Sequence, residues 1–467
     1  MDRRWLAFIV VCLGDLMIVL DSTVVNVALP TIRGALGFSE ASLAWVVNAY
    51  LLTFGGFLLL GGRLADLYGQ RRLFLIGLSA FTAASLACGL VGSAAALVVA
   101  RAVQGLGGAV VSAVALSLIT NLFREPAERV RAMGYFGFVM AAGGSVGVLL
   151  GGLLTDAFDW HWIFLINVPV GAAVFAAAAR LLAPDAADRS GGKLDVAGAI
   201  CITAVLLLAI SGIVGGNEAG WTSVRTLSML AAGAVLLLVF ILIEARVAAP
   251  LMPLHLFGSR NVSVSNVVGV LWAAGMFAWF FLSALYMQSV LGYSPMRVGL
   301  AFLPANIIMG AFSYDLSAKV VNRFGIRIPA VTGLIIATLG LVAFALAPVD
   351  GTFVMHVLPG MTLLGIGAGV AFNPILLAAM SDVPPEQSGL ASGVVNTSFM
   401  MGGALGLAVL ASLAAARSQN LAAAGAAAAT ALHGGYRAAL ALGAVLTLAA
   451  GLLALVLHDK RPTAPSH

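Results

Sequence analysis

The sequence predicts an all-α membrane protein that crosses the bilayer fourteen times, as two six-helix bundles with two further helices inserted between them. Apolar residues make up 61% of the chain and charged residues only 9%, whereas soluble domains are about 45–50% apolar and about 25% charged. Apolar runs of about 20 residues, the length that spans a bilayer, recur along nearly the whole chain. A third observation is that glycines of the first half recur in the second half at a nearly constant spacing.

The spanning segments follow from run length. Their predicted bounds are 5–28, 43–63, 73–92, 95–119, 131–155, 161–181, 195–215, 225–245, 263–289, 298–318, 328–347, 353–379, 388–413 and 436–457. The runs lack the period-two alternation of barrel strands, so they predict helices. Short loops separate most of them, which leaves no room for a catalytic domain.

The distribution of basic residues predicts that both termini are cytoplasmic. Of the 24 Lys and Arg residues, one lies within a span and five lie in segments that would face outside. The remaining 24 − 6 = 18 fall on the cytoplasmic side, as the positive-inside rule requires. The five outside residues are Arg33, Arg225, Arg297, Arg417 and Arg437.

An internal repeat relates the two halves. Gly69 corresponds to Gly325 at an offset of 325 − 69 = 256, and Gly107 corresponds to Gly367 at 367 − 107 = 260. The small drift implies that spans 1–6 correspond to spans 9–14, an arrangement of parallel repeats with the substrate path between the halves. The predicted parts are an N-terminal bundle at 1–182, a cytoplasmic linker with two inserted helices at 183–261, and a C-terminal bundle with a short tail at 262–467.

A short motif after the second span carries the first family resemblance. Residues 62–72 read GRLADLYGQRR and resemble the cytoplasmic loop signature of the major facilitator superfamily, a family of membrane transporters. Glycine there allows close helix approach and a tight turn, and the Asp can meet a cation or a helix N-terminus. In similar proteins this motif latches the two halves together on the cytoplasmic side. The latch positions implied are Gly62, Asp66, Gly69, Arg71 and Arg72.

Three longer motifs narrow the resemblance to the fourteen-span drug:proton antiporter branch of that family. LDSTVVNVALP at 20–30 resembles the first-helix signature of the branch. WHWIFLINVPVG at 160–171 and SGLASGVVNTSFMMGGALG at 388–406 resemble its sixth and thirteenth helices. The resemblance covers nearly the whole chain and implies a major-facilitator-like fold that exports hydrophobic or cationic drugs, or secondary metabolites, by alternating access.

Two motifs in the first half bear on direction and coupling. RAVQGLGGA at 101–109 resembles the Arg-containing motif of the family, and GGSVGVLLGGLL at 143–154 resembles the motif associated with antiporters. Val148 stands where the family usually has Pro, which keeps a proton-coupled importer open as an alternative to export. The helix-packing positions implied by the second motif are Gly143, Gly147, Gly151 and Gly152.

Charged residues inside spans predict the coupling site. Ionisable groups within a membrane are costly and mark functional sites. Asp21 and Arg101 lie at matching depths in spans 1 and 4, so we expect them to interact and to couple proton movement to conformational change, with a purely structural tie as the alternative. Asp15 lies six residues earlier, ~240° around the helix, and is the rival proton carrier. Asp315 stands four residues before Lys319, which a local ion pair explains.

Aromatic and polar residues predict the substrate cavity. Trp272, Met276, Trp279 and Tyr286 recur at helical spacing on one face of span 9. They either pack against neighbouring helices or line a pocket for bulky apolar compounds. The full set of predicted cavity residues is Asn26, Asn48, Tyr50, Gln104, Trp272, Met276, Trp279, Tyr286, Asn396, Phe399 and Met400.

Several functions are disfavoured by missing motifs. The sequence has no GxxxxGK[ST] nucleotide loop, no HExxH and no nucleophile elbow, so we expect neither an enzyme nor an ATP-driven pump. We expect no cofactor and no metal, with the proton gradient as energy source. The expected partners are a hydrophobic small molecule, protons and the lipid bilayer, without nucleic acid, for a monomer in the bacterial cytoplasmic (inner) membrane. A membrane sensor or lipid-handling protein without a transport cycle is the remaining alternative.

Overall fold

The computed structural model describes residues 3–123, 125–185, 195–247, 250–312, 317–381, 383 and 388–458. Within these ranges the regular structure is helical, as the sequence predicts. Among the described residues, twelve helices are long and apolar enough to cross a membrane by length and composition. The other two predicted spans correspond to α5 and α11. Their apolar stretches, Val146–Ala157 and Pro295–Ala311, are shorter than the twelve candidate spans. The all-helical membrane fold is confirmed, while the count of fourteen crossings stays a prediction.

The chain divides into two compact units, and the first comprises residues 1–252 together with 293–300. Its helices are α1 (Arg3–Leu36), α2 (Trp45–Tyr68), α3 (Gln70–Leu90), α4 (Ala94–Leu122), α5 (Pro126–Ala157), α6 (Trp162–Leu165), α7 (Asn167–Leu181), α8 (Val196–Ala219) and α9 (Val224–Glu244). Helix α1 packs against α4, α5 and α7, and α4 packs against α2 and α3. The inserted helices α8 and α9 pack against each other, and α8 also contacts α2.

The second unit comprises residues 253–292 and 301–467. Its helices are α10 (Arg260–Leu285), α11 (Pro295–Ala311, which begins in the first unit), α12 (Ser317–Phe324), α13 (Arg327–Leu346), α14 (Leu358–Ser381), α15 (Ser388–Ala423) and α16 (Ala428–Ala454). Helix α10 packs against α14, α15 and α16, and α13 packs against α14 and α16. The division into three parts at 1–182, 183–261 and 262–467 stays a prediction.

Glycine contacts reproduce the internal repeat at the level of single atoms. A Cβ built on Gly107 of α4 would lie 2.5 Å from the backbone nitrogen of Phe81 on α3, and one on Gly367 of α14 would lie 2.5 Å from that of Ala337 on α13. The partner offset, 337 − 81 = 256, matches the offset of the Gly69–Gly325 pair. The same close approach of two helices is therefore built twice, once in each unit.

Several helix bounds differ from those predicted by hydropathy. Helix α1 continues through Pro30 to Leu36 instead of ending near residue 28, because proline is tolerated in spans where neighbouring helices satisfy the freed carbonyl. The sixth predicted span is divided into α6 and α7 around Ile166. Pro169 explains this break, because it has no N–H to donate to the carbonyl four residues earlier. Within the tenth predicted span the structure has α11 at Pro295–Ala311, and Asp315 lies outside the described residues.

Candidate functional site

The centre of the first unit holds a buried ion pair between α1 and α4. Arg101 Nη1 donates to Asp21 Oδ2, and the side chains are 1% and 0% exposed. Arg101 also donates from Nε to the carbonyl of Val46 on α2, at 3.0 Å. The interaction expected from the matching depths of Asp21 and Arg101 is present, and it links three helices at one point.

Neutral donors complete the surroundings of the Asp21 carboxylate. Its Oδ1 accepts from Gln104 Nε2 at 2.7 Å and from Asn167 Nδ2 at 3.0 Å. The Gln104 carbonyl oxygen in turn accepts from Arg101 Nη1 at 2.7 Å. Ser85 of α3 bridges the two amides, since its hydroxyl accepts from Gln104 at 3.1 Å and from Asn167 at 3.0 Å while donating to the carbonyl of Phe164. Such a network satisfies both carboxyl oxygens of Asp21 and fixes their position.

Aromatic rings cover the guanidinium. Arg101 Cζ lies 4.4 Å from the ring centroid of Tyr50 and 5.6 Å from that of Phe164, a cation–π arrangement that strengthens where water is excluded. The Tyr50 hydroxyl and both amide atoms of Asn48 are buried without a hydrogen-bond partner among the described residues. Tyr50 therefore presents an unsatisfied hydroxyl on a ring that covers Arg101, and Asn48 presents an unsatisfied amide on the same helix.

The second carboxyl of α1 has its own partner. Asp15 is 6% exposed, and its Oδ1 accepts a hydrogen bond from the hydroxyl of Ser112 on α4. The spacing predicts different faces of α1 for Asp15 and Asp21, yet both carboxyls contact α4. Positions ~240° apart are also 120° apart in the other direction, and the long Arg101 side chain reaches around to Asp21. Asn26, on the same helix, donates only to the carbonyl of Thr23, at 3.4 Å.

The predicted cavity residues of the second unit mainly pack against one another. Trp272 is 3% exposed and contacts the rings of Phe372 and Phe399 edge-on, at 5.9 and 5.4 Å. Trp279 is 2% exposed and packs against Phe302. Tyr286 donates from its hydroxyl to the carbonyl of Pro348 at 2.7 Å. Within this unit, packing is thus the observed role of the α10 aromatic face.

Two small cavities adjoin these aromatic residues. One lies beside Trp272, Met276 and Trp279, the other beside Trp272, Asn396 and Phe399, and each has a volume of about 10 Å³, enough for one water molecule. Met400 is part of the partly buried shell around the same cluster. Drug-sized sites need roughly 300–1,000 Å³, so neither cavity holds a drug as it stands.

The predicted latch residues lie at the junction of α2 and α3. Gly69 has φ +97°, a conformation that favours glycine. The backbone nitrogens of Arg71 and Arg72 donate to the carboxylate of Asp185, at 2.9 and 3.1 Å, and Arg71 Nη2 donates to the carbonyl of Ala179 at 2.5 Å. A Cβ built on Gly62 would meet no described atom of another segment within 4 Å, and the Asp66 side chain lies outside the described residues. The carboxylate that accepts from the first backbone N–H groups of α3 therefore belongs to Asp185, which lies outside the 62–72 motif.

The glycines of the antiporter motif bring α5 close to α1. A Cβ on Gly143 would lie 2.6 Å from the Leu16 side chain, and one on Gly151 would lie 2.5 Å from the carbonyl oxygen of Val24. Gly147 faces Thr23 and Leu20 in the same way. Gly152 instead faces the backbone of Pro295, at 2.6 Å, in the short segment that groups with the first unit.

Sequence reasoning missed Asn167 and Ser85, which complete the charged network. Asn167 lies inside the WHWIFLINVPVG motif, where an amide in an apolar run is itself a signal. Ser85 carries no such signal, because a single serine satisfies its hydroxyl on its own helix in most spans. Among the described residues no group of three or more His, Cys, Asp or Glu could hold a metal ion.

Comparison with known proteins agrees with the arrangement of helices. A family model described as Major Facilitator Superfamily matches residues 11–407. The chain is 37% identical over 468 residues to the puromycin resistance protein pur8 of Streptomyces alboniger, covering 99% of this chain and 93% of the relative. It is 40% identical over 407 residues to the cephamycin export protein CmcT of Amycolatopsis lactamdurans, covering 86% and 84% of the two chains.

Solved structures share the fold at low sequence identity. The chain superposes on a bacterial homologue of the human lysosomal transporter Spinster, inward-facing and unoccupied, with a TM-score of 0.69 at 17% identity, covering 97% of each chain. It superposes on the xylose transporter XylE from E. coli, in a partially occluded inward-open conformation, with a TM-score of 0.63 at 14% identity and 97% coverage of each chain.

Proposed function

The chain belongs to the major facilitator superfamily, and from this premise we propose that it exports hydrophobic or cationic drugs or secondary metabolites in exchange for protons. The family resemblance expected from the motifs is confirmed over residues 11–407. Membership makes the chain a multi-pass membrane transporter of small molecules. The relatives named for puromycin resistance and cephamycin export support antibiotic efflux as the direction and class of transport.

The observation that carries the proton-coupling part is the Asp21–Arg101 pair. A carboxylate that is paired in one conformation and protonated in another transmits proton binding to the conformational equilibrium. In the described arrangement Asp21 accepts from Arg101, Gln104 and Asn167, which is the paired conformation of such a switch. Protonation would cancel its attraction for Arg101 and release three helices that meet at this point.

Import, the alternative that Val148 keeps open, is disfavoured by the same relatives. Val148 is buried, and close packing of α5 on α1 is achieved by Gly143, Gly147 and Gly151 without a proline. The site of action that we propose is the bacterial cytoplasmic membrane, with both termini cytoplasmic. No cofactor is proposed, and a monomer suffices because both halves of the transport path belong to one chain.

The experiment is ethidium or antibiotic accumulation in a pump-deficient bacterial host, with and without a proton uncoupler. We expect the protein to lower accumulation and the uncoupler to abolish the effect. Asp21→Asn should behave like the uncoupled protein when efflux is normalised to the amount of protein in the membrane. Asp350→Asn makes the same chemical change at an exposed position and should transport normally. Full gradient-driven efflux by Asp21→Asn would refute the coupling role, and accumulation that the protein leaves unchanged for every compound would refute export.

A further inference from the structure

The two inserted helices carry a pair of buried carboxyl groups that the transport site does not use. Asp195 immediately precedes α8 and is 4% exposed, and Glu244 is the last residue of α9 and is 3% exposed. Oxygens of both groups border the same residue, Gly198. Neither forms an ion pair with a basic side chain in the part of the chain that the structure describes. Two buried carboxyls without a basic partner require an explanation, because buried charges are normally compensated.

Each carboxyl uses one oxygen for a backbone donor. Asp195 Oδ1 accepts from Gly198 N at 2.7 Å and so caps the start of α8. Glu244 Oε2 accepts from Met252 N at 2.9 Å, and Met252 is the last residue of the first unit before the chain enters the second. These bonds hold the two acids in place and leave one oxygen of each to be satisfied.

The two remaining oxygens face the same small space. Asp195 Oδ2 and Glu244 Oε1 are both buried, and neither has a hydrogen-bond donor among the residues that the structure describes. Both border Gly198, where a Cβ would lie 2.8 Å from Glu244 Oε1 and would collide with Asp195 Oδ2. Leu60, Ala199 and Leu251 form an apolar cluster beside them. A single proton would satisfy both oxygens, because the protonated carboxyl would donate its O–H group to the other carboxylate.

We propose that Asp195 and Glu244 share one bound proton and form a second protonation site, on the inserted helices and separate from Asp21. Two carboxylates that face each other in a buried site do not both ionise. The remaining negative charge is favoured on Asp195, because its carboxylate lies at the N-terminus of the 24-residue helix α8. Glu244 then holds the proton. The shared proton joins the start of α8, the end of α9 and the backbone at residue 252, so it closes the inserted pair at one end.

The inference rests on this geometry and not on the proposed transport function, and infrared spectroscopy of the purified full-length protein tests it. The wild type should show a carbonyl stretching band of a protonated carboxylic acid. Glu244→Gln and Asp195→Asn should each remove that band, because the amide N–H replaces the shared proton and the remaining acid ionises. Asp21→Asn is the control that should leave this band unchanged.

Thermal unfolding separates the shared proton from a failure to fold. Glu244→Gln should keep a midpoint close to that of the wild type, because the Gln amide can donate to Asp195 Oδ2 as the proton does. Glu244→Ala should lower the midpoint, because it leaves Asp195 buried and charged without a donor. Persistence of the band in both amide variants would overturn the proposal. A band absent from the wild type, together with a lower midpoint after EDTA treatment, would assign a divalent cation to the site and would also overturn it.

Discussion

The Asp21 carboxylate and the Arg101 guanidinium form an ion pair in which the side chains are only 0% and 1% exposed. Removing one partner of such a pair leaves the other as an uncompensated buried charge, which costs about 3–5 kcal/mol. Replacing both by neutral groups of similar size removes that penalty. Stability and transport should therefore respond differently to single and double substitution, because only transport needs the charges.

The first prediction uses this difference. Arg101→Met should lower the thermal stability of the detergent-purified protein by about 3–5 kcal/mol, and the double variant Asp21→Asn/Arg101→Met should regain most of it. Neither variant should transport. Unfolding midpoints and ethidium efflux, measured on the same preparations, check this. An additive loss of stability in the double variant would show that the two side chains do not interact.

Asn167 supports the second prediction. Asn167→Ala removes donors to both Asp21 Oδ1 and Ser85, and a lost hydrogen bond to a charged group costs about 1.5–3 kcal/mol. We expect lower stability and impaired efflux. Asn420→Ala, at an exposed position near the end of α15, is the matched control and should change neither. Wild-type stability and efflux in Asn167→Ala would exclude Asn167 from the coupling site.

The sequence predicts the charged pair of this network, but it does not predict all the polar residues that surround the pair. Charges inside spans pointed to Asp21 and Arg101, because a charge in a membrane is costly and therefore informative. Asn167 lies in a motif that points to the family and assigns no role to the amide. Ser85 and Ser112 could not be found, since one hydroxyl in an apolar run carries no distinct pattern. Which of its neighbours a side chain meets depends on how the helices cross, and hydropathy does not contain that information.

Some features of the fold could also be predicted from the sequence, and others could not. Run length predicted the helices, and the glycine offsets predicted a repeat that Gly107 and Gly367 realise through equivalent contacts. Helix ends are harder to predict from the sequence, because Pro30 lies inside α1 whereas Pro169 follows a break between two helices. The same residue type ends or continues a helix according to whether neighbours satisfy the freed carbonyl. Cavities depend on how side chains fill space. The sequence therefore does not decide whether the aromatic face of α10 packs against other helices or lines a pocket.

The repeat gives the third prediction. Gly107→Ala and Gly367→Ala each place a methyl group 2.5 Å from the backbone of the neighbouring helix, so the helices must separate at a cost of about 1–3 kcal/mol. Gly215→Ala in α8, where no atom lies within 4 Å of the added group, should be neutral or slightly stabilising. Unfolding midpoints of the three variants check this. Equal midpoints for Gly107→Ala and Gly215→Ala would contradict the close approach of α3 and α4.

The fourth prediction concerns the start of α3. Asp185→Ala removes the acceptor for the backbone nitrogens of Arg71 and Arg72, and loss of a cap costs about 0.5–2 kcal/mol. Asp185→Asn keeps an acceptor oxygen and should cost less. Limited proteolysis between α2 and α3 reports local opening, and we expect faster cleavage in Asp185→Ala than in Asp185→Asn. Identical cleavage in wild type and Asp185→Ala would show that the cap is not needed.

The fifth prediction decides between the two carboxyls of α1. In the described part of the chain Asp15 accepts from the neutral Ser112, whereas Asp21 accepts from a guanidinium and two amides. Only Asp21 therefore has a charged partner whose attraction is switched off by protonation. Asp15→Asn should keep uncoupler-sensitive efflux, since an Asn at residue 15 can still accept from Ser112, and Asp21→Asn should lose it. Reconstituted vesicles with an imposed pH gradient provide the measurement. The opposite pattern would make Asp15 the proton carrier and leave Asp21–Arg101 as a structural tie between α1 and α4.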